Sequence, residues 1–226
     1  MHRRARHLTG RAAGASFHYD ARWLSLTDGT GVQTWTDLAG SNDATQATST
    51  NRPTFKTNIL NGNPIVRFDG TDDFVSFTTG AYVNLEYLAI TLFKSVGTIG
   101  PTVTNKTTTT GLPYTNFYYF GTVYSSTNAY AYNANMDMTV LSIASSHNIA
   151  SSSSFNMWRN GINANASSAG PNNSVTTVDC IGQRDWDNTK LNGDVAAAIH
   201  ITGSLASSLR KRFEHAMGFS FKISCS

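Results

Sequence analysis

Over residues 64–77, apolar and polar positions alternate twice. Val66 and Phe68 alternate with Arg67 and Asp69; after a turn rich in Asp and Gly, Val75 and Phe77 alternate with Phe74 and Ser76. Period-two patterning on both sides of such a turn predicts a β-hairpin with one buried face, Phe68 and Phe77 pointing inward. The turn residues suit it, because Asp and Gly accept the backbone angles of a tight reversal.

The same period recurs along the chain. Residues 82–96 read as one long strand, with Leu88, Ile90 and Leu92 on one face and Ala89, Thr91 and Phe93 on the other. Residues 117–120, followed by Tyr124, Tyr130 and Tyr132, predict an aromatic-rich antiparallel pair. Residues 138–144, 155–162, 178–182 and 195–201 continue the sheets, and Asn160-Gly161 is a two-residue hairpin signal. Trp35, inside a long loop region, reads as a core plug. Near the end the period changes. Leu205, Leu209, Phe213 and Met217 recur every four residues, predicting a helix over 205–218 that Ser204 caps and Gly218 stops. Arg210, Lys211 and Arg212 are expected on its solvated face.

Several short words surround these elements. Trp35-Thr-Asp37, the run from Gly40 to Gln46, Asn51-Arg-Pro-Thr54 and Asn61-Gly62 precede or open the alternating stretch; Trp158-Arg-Asn-Gly-Ile162 and Leu191-Asn-Gly-Asp-Val195 follow it. In that order they resemble the LamG-like (concanavalin A-like lectin/glucanase) jelly roll, over residues 17–221. The resemblance implies an all-β fold, an antiparallel β-sandwich with a short C-terminal helix. Ala196-Ala-Ala198 stands where the family often carries an acidic residue, and Phe219 or Phe221 replaces its usual Trp, which weakens any transfer of ligand residues. Domains of this type without an attached enzyme look like bacteriophage structural proteins. The expected function is therefore a non-enzymatic virion protein, a capsid decoration or fibre-type component on the particle surface. The alternative is a carbohydrate-binding adhesin module that recognises a host-surface glycan.

Charge divides the chain. Five arginines against Asp20 give residues 1–22 a charge of +4, which leaves −1 for the other 204. Residues 1–16 have too little apolar surface to fold alone and read as a basic N-terminal arm preceding the sandwich domain, residues 17–226. Arg3, Arg4, Arg6 and Arg11 are suited to an acidic protein surface, since the guanidinium fork pairs bidentately with carboxylates; the expected partner is a major capsid or tail protein. A nearly neutral domain makes nucleic acid an unlikely ligand, though the arm could meet phosphates. No apolar run is long enough for a bilayer, and no signal-peptide core stands at the N-terminus. Self-association is left open.

The candidate chemistry is thin. Glutamate occurs only at Glu86 and Glu214, whereas retaining glycoside hydrolysis needs two carboxyls about 5 Å apart; catalysis is not expected. His147, His200 and His215 are isolated, and zinc sites need three or four convergent groups. Cys180 reads as a buried thiol and Cys225 as a free one. Asp69, Asp72 and Asp73 cluster at one turn and are either turn chemistry or ligands for Ca²⁺, which LamG-like domains often bind at the rim. No other cofactor is expected. Tyr118, Tyr130 and Tyr132 could stack on the CH faces of sugars or pack between the sheets.

Overall fold

A computed structural model describes residues 15–78, 82–83, 87–96, 103–104, 117–119, 122–124, 130–132, 142–148, 155–163, 175–176, 180–183, 189–202 and 207–223. In chain order the strands are β1 (Ala15–Asp20), β2 (Thr34–Trp35), β3 (Ala44–Thr45), β4 (Thr54–Leu60), β5 (Asn63–Asp69) and β6 (Val75–Ser76). Then come β7 (Tyr82–Val83), β8 (Tyr87–Ser95), β9 (Val103–Thr104), β10 (Phe117–Tyr119), β11 (Thr122–Tyr124) and β12 (Tyr130–Tyr132). The last are β13 (Ser142–Asn148), β14 (Phe155–Arg159), β15 (Ile162–Asn163), β16 (Val175–Thr176), β17 (Cys180–Ile181) and β18 (Asn192–Thr202), before the helix α1 (Ser207–Phe221).

The architecture is the expected all-β, antiparallel one with a C-terminal helix. An eight-stranded sheet runs β15-β14-β13-β8-β18-β5-β4, with β1 on the edge of β18 that β5 leaves uncovered. A five-stranded sheet runs β2-β3-β6-β17-β9. Between the two lies an aromatic core: Phe17, Tyr19, Trp35, Phe68, Phe77 and Phe93 are all at most 5% exposed. Phe77 meets Phe17 and Tyr19 edge-on at 4.9 and 5.2 Å, the offset geometry that ring quadrupoles favour. The opposite face of the large sheet carries Ile65, Ile90, Leu92, Ile199 and Ile201, and α1 covers it with Phe213, Met217 and Phe221. Two short loops are set by Asn-Gly pairs. Asn61 and Gly62 join β4 to β5, and Asn160 and Gly161 join β14 to β15, all four residues at positive φ as a type I′ turn requires.

The expected hairpin over residues 64–77 is not one. Burial of Phe68 and Phe77 is as the alternation predicts, but β5 pairs with β4 and β18, while β6 pairs with β3 and β17. The turn carries the chain from one sheet of the sandwich to the other. Residues 82–96 likewise divide into β7, which pairs with β16, and β8 in the large sheet. The first strand includes Ala15 and Ser16, so the arm expected over residues 1–16 gives way to the sandwich two residues earlier.

The helix differs in two respects. It passes Gly218 and ends at Phe221, because Lys222 takes a left-handed φ of 57°. Ile223 N–H then reaches Gly218 O at 2.7 Å and Lys222 N–H reaches Phe219 O at 3.4 Å, the two bonds of a Schellman stop. Arg210 is not on a solvated face. It is 5% exposed, stacks 3.9 Å above the centre of the Trp158 ring and pairs with the buried Glu214 one turn on. Lys211 and Arg212 are exposed as expected.

Phe68 has a tight neighbour. Gly182 sits at φ +94°, and a Cβ there would lie 2.4 Å from the Phe68 ring. Phe68→Ala should cost about 3–5 kcal/mol, measured by urea unfolding, and Gly182→Ala should also destabilise through both contact and backbone strain. A near-neutral Phe68→Ala would place that ring outside the core.

Candidate functional site

Pairing across the five-stranded sheet aligns Thr34, Thr45, Ser76, Cys180 and Thr104 at one register level. The next level holds Trp35 and Ala44 on one side, and Val75, Ile181 and Val103 on the other. Trp35, Ala44, Val75 and Ile181 belong to the aromatic core. Period two therefore sends Thr45 and Ser76 to the outside of the sandwich, where Thr45 is exposed and Ser76 partly so. Cys180 shares their level yet is fully buried.

The connection from β2 to β3 rises beside this row, and a single buried carboxylate organises it. Asp37 Oδ1 accepts from His18 N–H at 2.8 Å and Ala39 N–H at 2.9 Å, and Oδ2 accepts from Asn42 N–H at 3.2 Å. Asp43 Oδ1 returns the favour to Asp37 N–H at 2.8 Å. Asn42 is also held to β1, its Nδ2 donating to Ser16 O at 2.9 Å and its carbonyl accepting from the Tyr19 hydroxyl. Buried polar groups satisfied this fully make a rigid loop. Between loop and sheet lies a groove of about 310 Å³ lined by Ser41, Asn42, Asp43, Thr45, Ser76, Phe77 and Thr78. That is the lower end of small-ligand sites, and hydroxyls dominate its walls.

The residues singled out from sequence lie elsewhere. Asp69, Asp72 and Asp73 do come together, each with a carboxylate oxygen within 4.8 Å of the others. Much of that capacity serves the turn: Asp69 Oδ1 accepts from Thr71 N–H at 2.7 Å and Asp72 N–H at 3.3 Å, and Asp73 Oδ2 accepts from Asp69 N–H at 3.0 Å. These three are the residues that would hold a cation, which would need further oxygens from backbone or water to reach six. Burial, then the charges of Asp69 and Asp72, push the Asp73 carboxyl up to about 6. The tyrosines occupy β10 and β12 of a separate three-stranded sheet. Tyr130 is in register with Tyr124 and Tyr132 with Thr122, whereas Tyr118 aligns with Val123 and Ala131, one position out of step. Arg3, Arg4, Arg6 and Arg11, like Glu86 and Cys225, fall outside the described residues. His200 is buried against Phe17, with Ser16 Oγ 3.2 Å from its Nδ1, and burial lowers its pKa to about 3; it is a neutral core residue.

No family model matches the sequence, and no curated protein matches it. Solved structures do. Trypanosoma rangeli sialidase in complex with sialic acid aligns with 91% of this chain and 33% of its own, at a TM-score of 0.57 and 12% identity. Domain 4 of AbnA, a GH43 extracellular arabinanase from Geobacillus stearothermophilus, in complex with arabinotriose, aligns with 86% of this chain and 95% of its own, at a TM-score of 0.53 and 10% identity. The chain spans about a third of the length of the sialidases it matches. At these identities the likeness is one of fold. It overturns the expectation of a virion decoration or fibre protein: the matching folds belong to carbohydrate-active proteins rather than capsid or tail components. The error arose because a sandwich fold with a basic arm carries no information about the particle or enzyme it serves.

Asp37→Ala should lower stability by about 2–3 kcal/mol, since it strands buried N–H donors, and should raise amide exchange across residues 38–43. Asp73 gives a pH signature. Its folded pKa of about 6 lies above the unfolded value near 4, so its contribution is full below about pH 4 and is lost as pH rises through about 6. Asp73→Asn keeps an acceptor for Asp69 N–H and should raise Tm at pH 7.5 while flattening the fall between pH 4 and 7. A rise in Tm with millimolar calcium, absent in that variant, is what a cation on the three carboxylates would add.

Proposed function

We propose that this chain is a carbohydrate-binding β-sandwich module, of lectin-like fold, that has no catalytic activity of its own and takes its ligand in the groove between the 36–43 loop and strands β3 and β6. The observation that carries this reading is the groove: a hydroxyl-lined depression whose framing loop is tied to β1 through Asp37. Preformed polar sites cost little to order on binding, and hydroxyls beside a carboxylate match sugar hydroxyls, each of which both donates and accepts. The fold supports it as well, since one structure that shares it over 95% of its own length, the arabinanase domain, is a complex with arabinotriose. Binding without hydrolysis is favoured by the acids present. Asp43 is the one carboxylate among the groove residues, and Glu214 is buried beside Arg210 on α1, whereas hydrolysis requires a pair.

The test is isothermal titration and affinity electrophoresis of the full chain against arabinan, arabinotriose, xylan and β-glucan. Binding in the micromolar to millimolar range, about −4 to −8 kcal/mol, with no release of reducing ends is the expected result. Thr45→Trp fills the groove from an exposed position and should abolish binding with Tm nearly unchanged. Absence of binding to every glycan, or steady release of reducing ends, would sink the reading.

A further inference from the structure

We infer that the groove selects uncharged, diol-bearing sugar units and rejects anionic ones such as sialic and uronic acids; this rests on the carbohydrate-binding reading above. The groove residues carry four hydroxyls, at Ser41, Thr45, Ser76 and Thr78, one amide at Asn42, and one formal charge, the Asp43 carboxylate. One N–H of the amide is used, because Asn42 Nδ2 donates to Ser16 O, and its other N–H and Oδ1 are a neutral donor and acceptor. Asp43 is different. Its Oδ1 is used by Asp37 N–H, while Oδ2, on an exposed side chain, has no hydrogen-bond partner among the described residues. A free carboxylate oxygen flanked by hydroxyls accepts from the O–H groups of a vicinal diol, a charge-assisted bond roughly twice as strong as a neutral one.

The same oxygen repels a ligand carboxylate, and no cation among the groove residues answers it. Three described cations outside the groove lining are engaged elsewhere. Arg22 pairs with Asp20 and lies over Phe221, and Arg52 donates to Gln46 O and Ala47 O. Lys190 donates to Gln183 and sits over Phe74. Recognition of a sugar acid uses a bidentate arginine or an equivalent donor cluster, so here an anionic ligand meets like charge with nothing to offset it, which is discrimination by repulsion.

The experiment titrates the full chain with two matched pairs, arabinotriose against trigalacturonate and lactose against sialyllactose, at low and high salt. Neutral members should bind at least tenfold more tightly than anionic ones at low salt, with the gap narrowing as salt screens the repulsion. Thr45→Arg, at an exposed position, should narrow or reverse the preference, and Asp43→Asn should weaken neutral binding while relieving the exclusion. Anionic members binding as tightly as neutral ones would overturn the inference and leave glycan binding intact. Binding by neither pair, together with silence across the polysaccharide panel, would overturn both.

Discussion

Strand β18 has no free edge or face along most of its length. It pairs with β8 on one side and with β5 and then β1 on the other, and its residues 193–201 are all buried. A strand covered on both faces must supply apolar or small side chains in both directions, and it must reconcile two cores of different depth. The irregularity between Val195 and Ala197 does this. It sends Val195 and Ala198 into the aromatic core and sets Ala196 and Ala197 together beneath the helix, a local adjustment that bulges provide. Two of the three consecutive alanines, Ala196 and Ala197, thereby lie in the cluster that α1 covers, and the third, Ala198, faces the aromatic core. β1, which anchors the groove loop, is one of its partners, and β5, from which the chain crosses to β6, is another.

Burial was legible in the sequence where pairing was not. Val66, Phe68, Val75 and Phe77 all enter one core as their alternation implies, yet alternation reports only which side of a sheet is dry, and a turn built from Asp and Gly looks the same whether the chain folds back or crosses a sandwich. The choice between these lies in distant partners, β4, β18, β3 and β17, that no local pattern names. The helix end was missed for a related reason. Lys222 pays the cost of a left-handed backbone, about 1–2 kcal/mol for a residue with a Cβ, and the two closing bonds and the burial of Phe221 offset it. Arg210 looked solvated because its basic neighbours are; what captures it is Trp158, brought beneath the helix by β14.

The groove was hidden in the same way. Asp37, Asn42 and Asp43 stand in plain view among the short words that suggest the fold, and an Asp followed by a Gly-Ser-Asn-Asp run is a turn signal. Thr45 and Ser76, which line the groove with Asn42 and Asp43, are ordinary strand residues until β3 pairs with β6. The aspartates and tyrosines that attracted notice did so by local density, and local density is the business of turns and sheets as much as of ligands.

The loop that frames the groove is held almost wholly through main-chain groups: the N–H groups of His18, Ala39, Asn42 and Asp37, and the carbonyls of Ser16 and Asn42. Asp37 is indispensable to that lattice, but Ser41, Thr45 and Thr78 are exposed and absent from it. Single surface substitutions could therefore rewrite the groove's lining at little risk to folding, keeping the frame while exchanging the lettering. The frame and the exposed lining are separable, and Ser41, Thr45 and Thr78 are three surface positions that can be exchanged without touching the bonds that hold the loop.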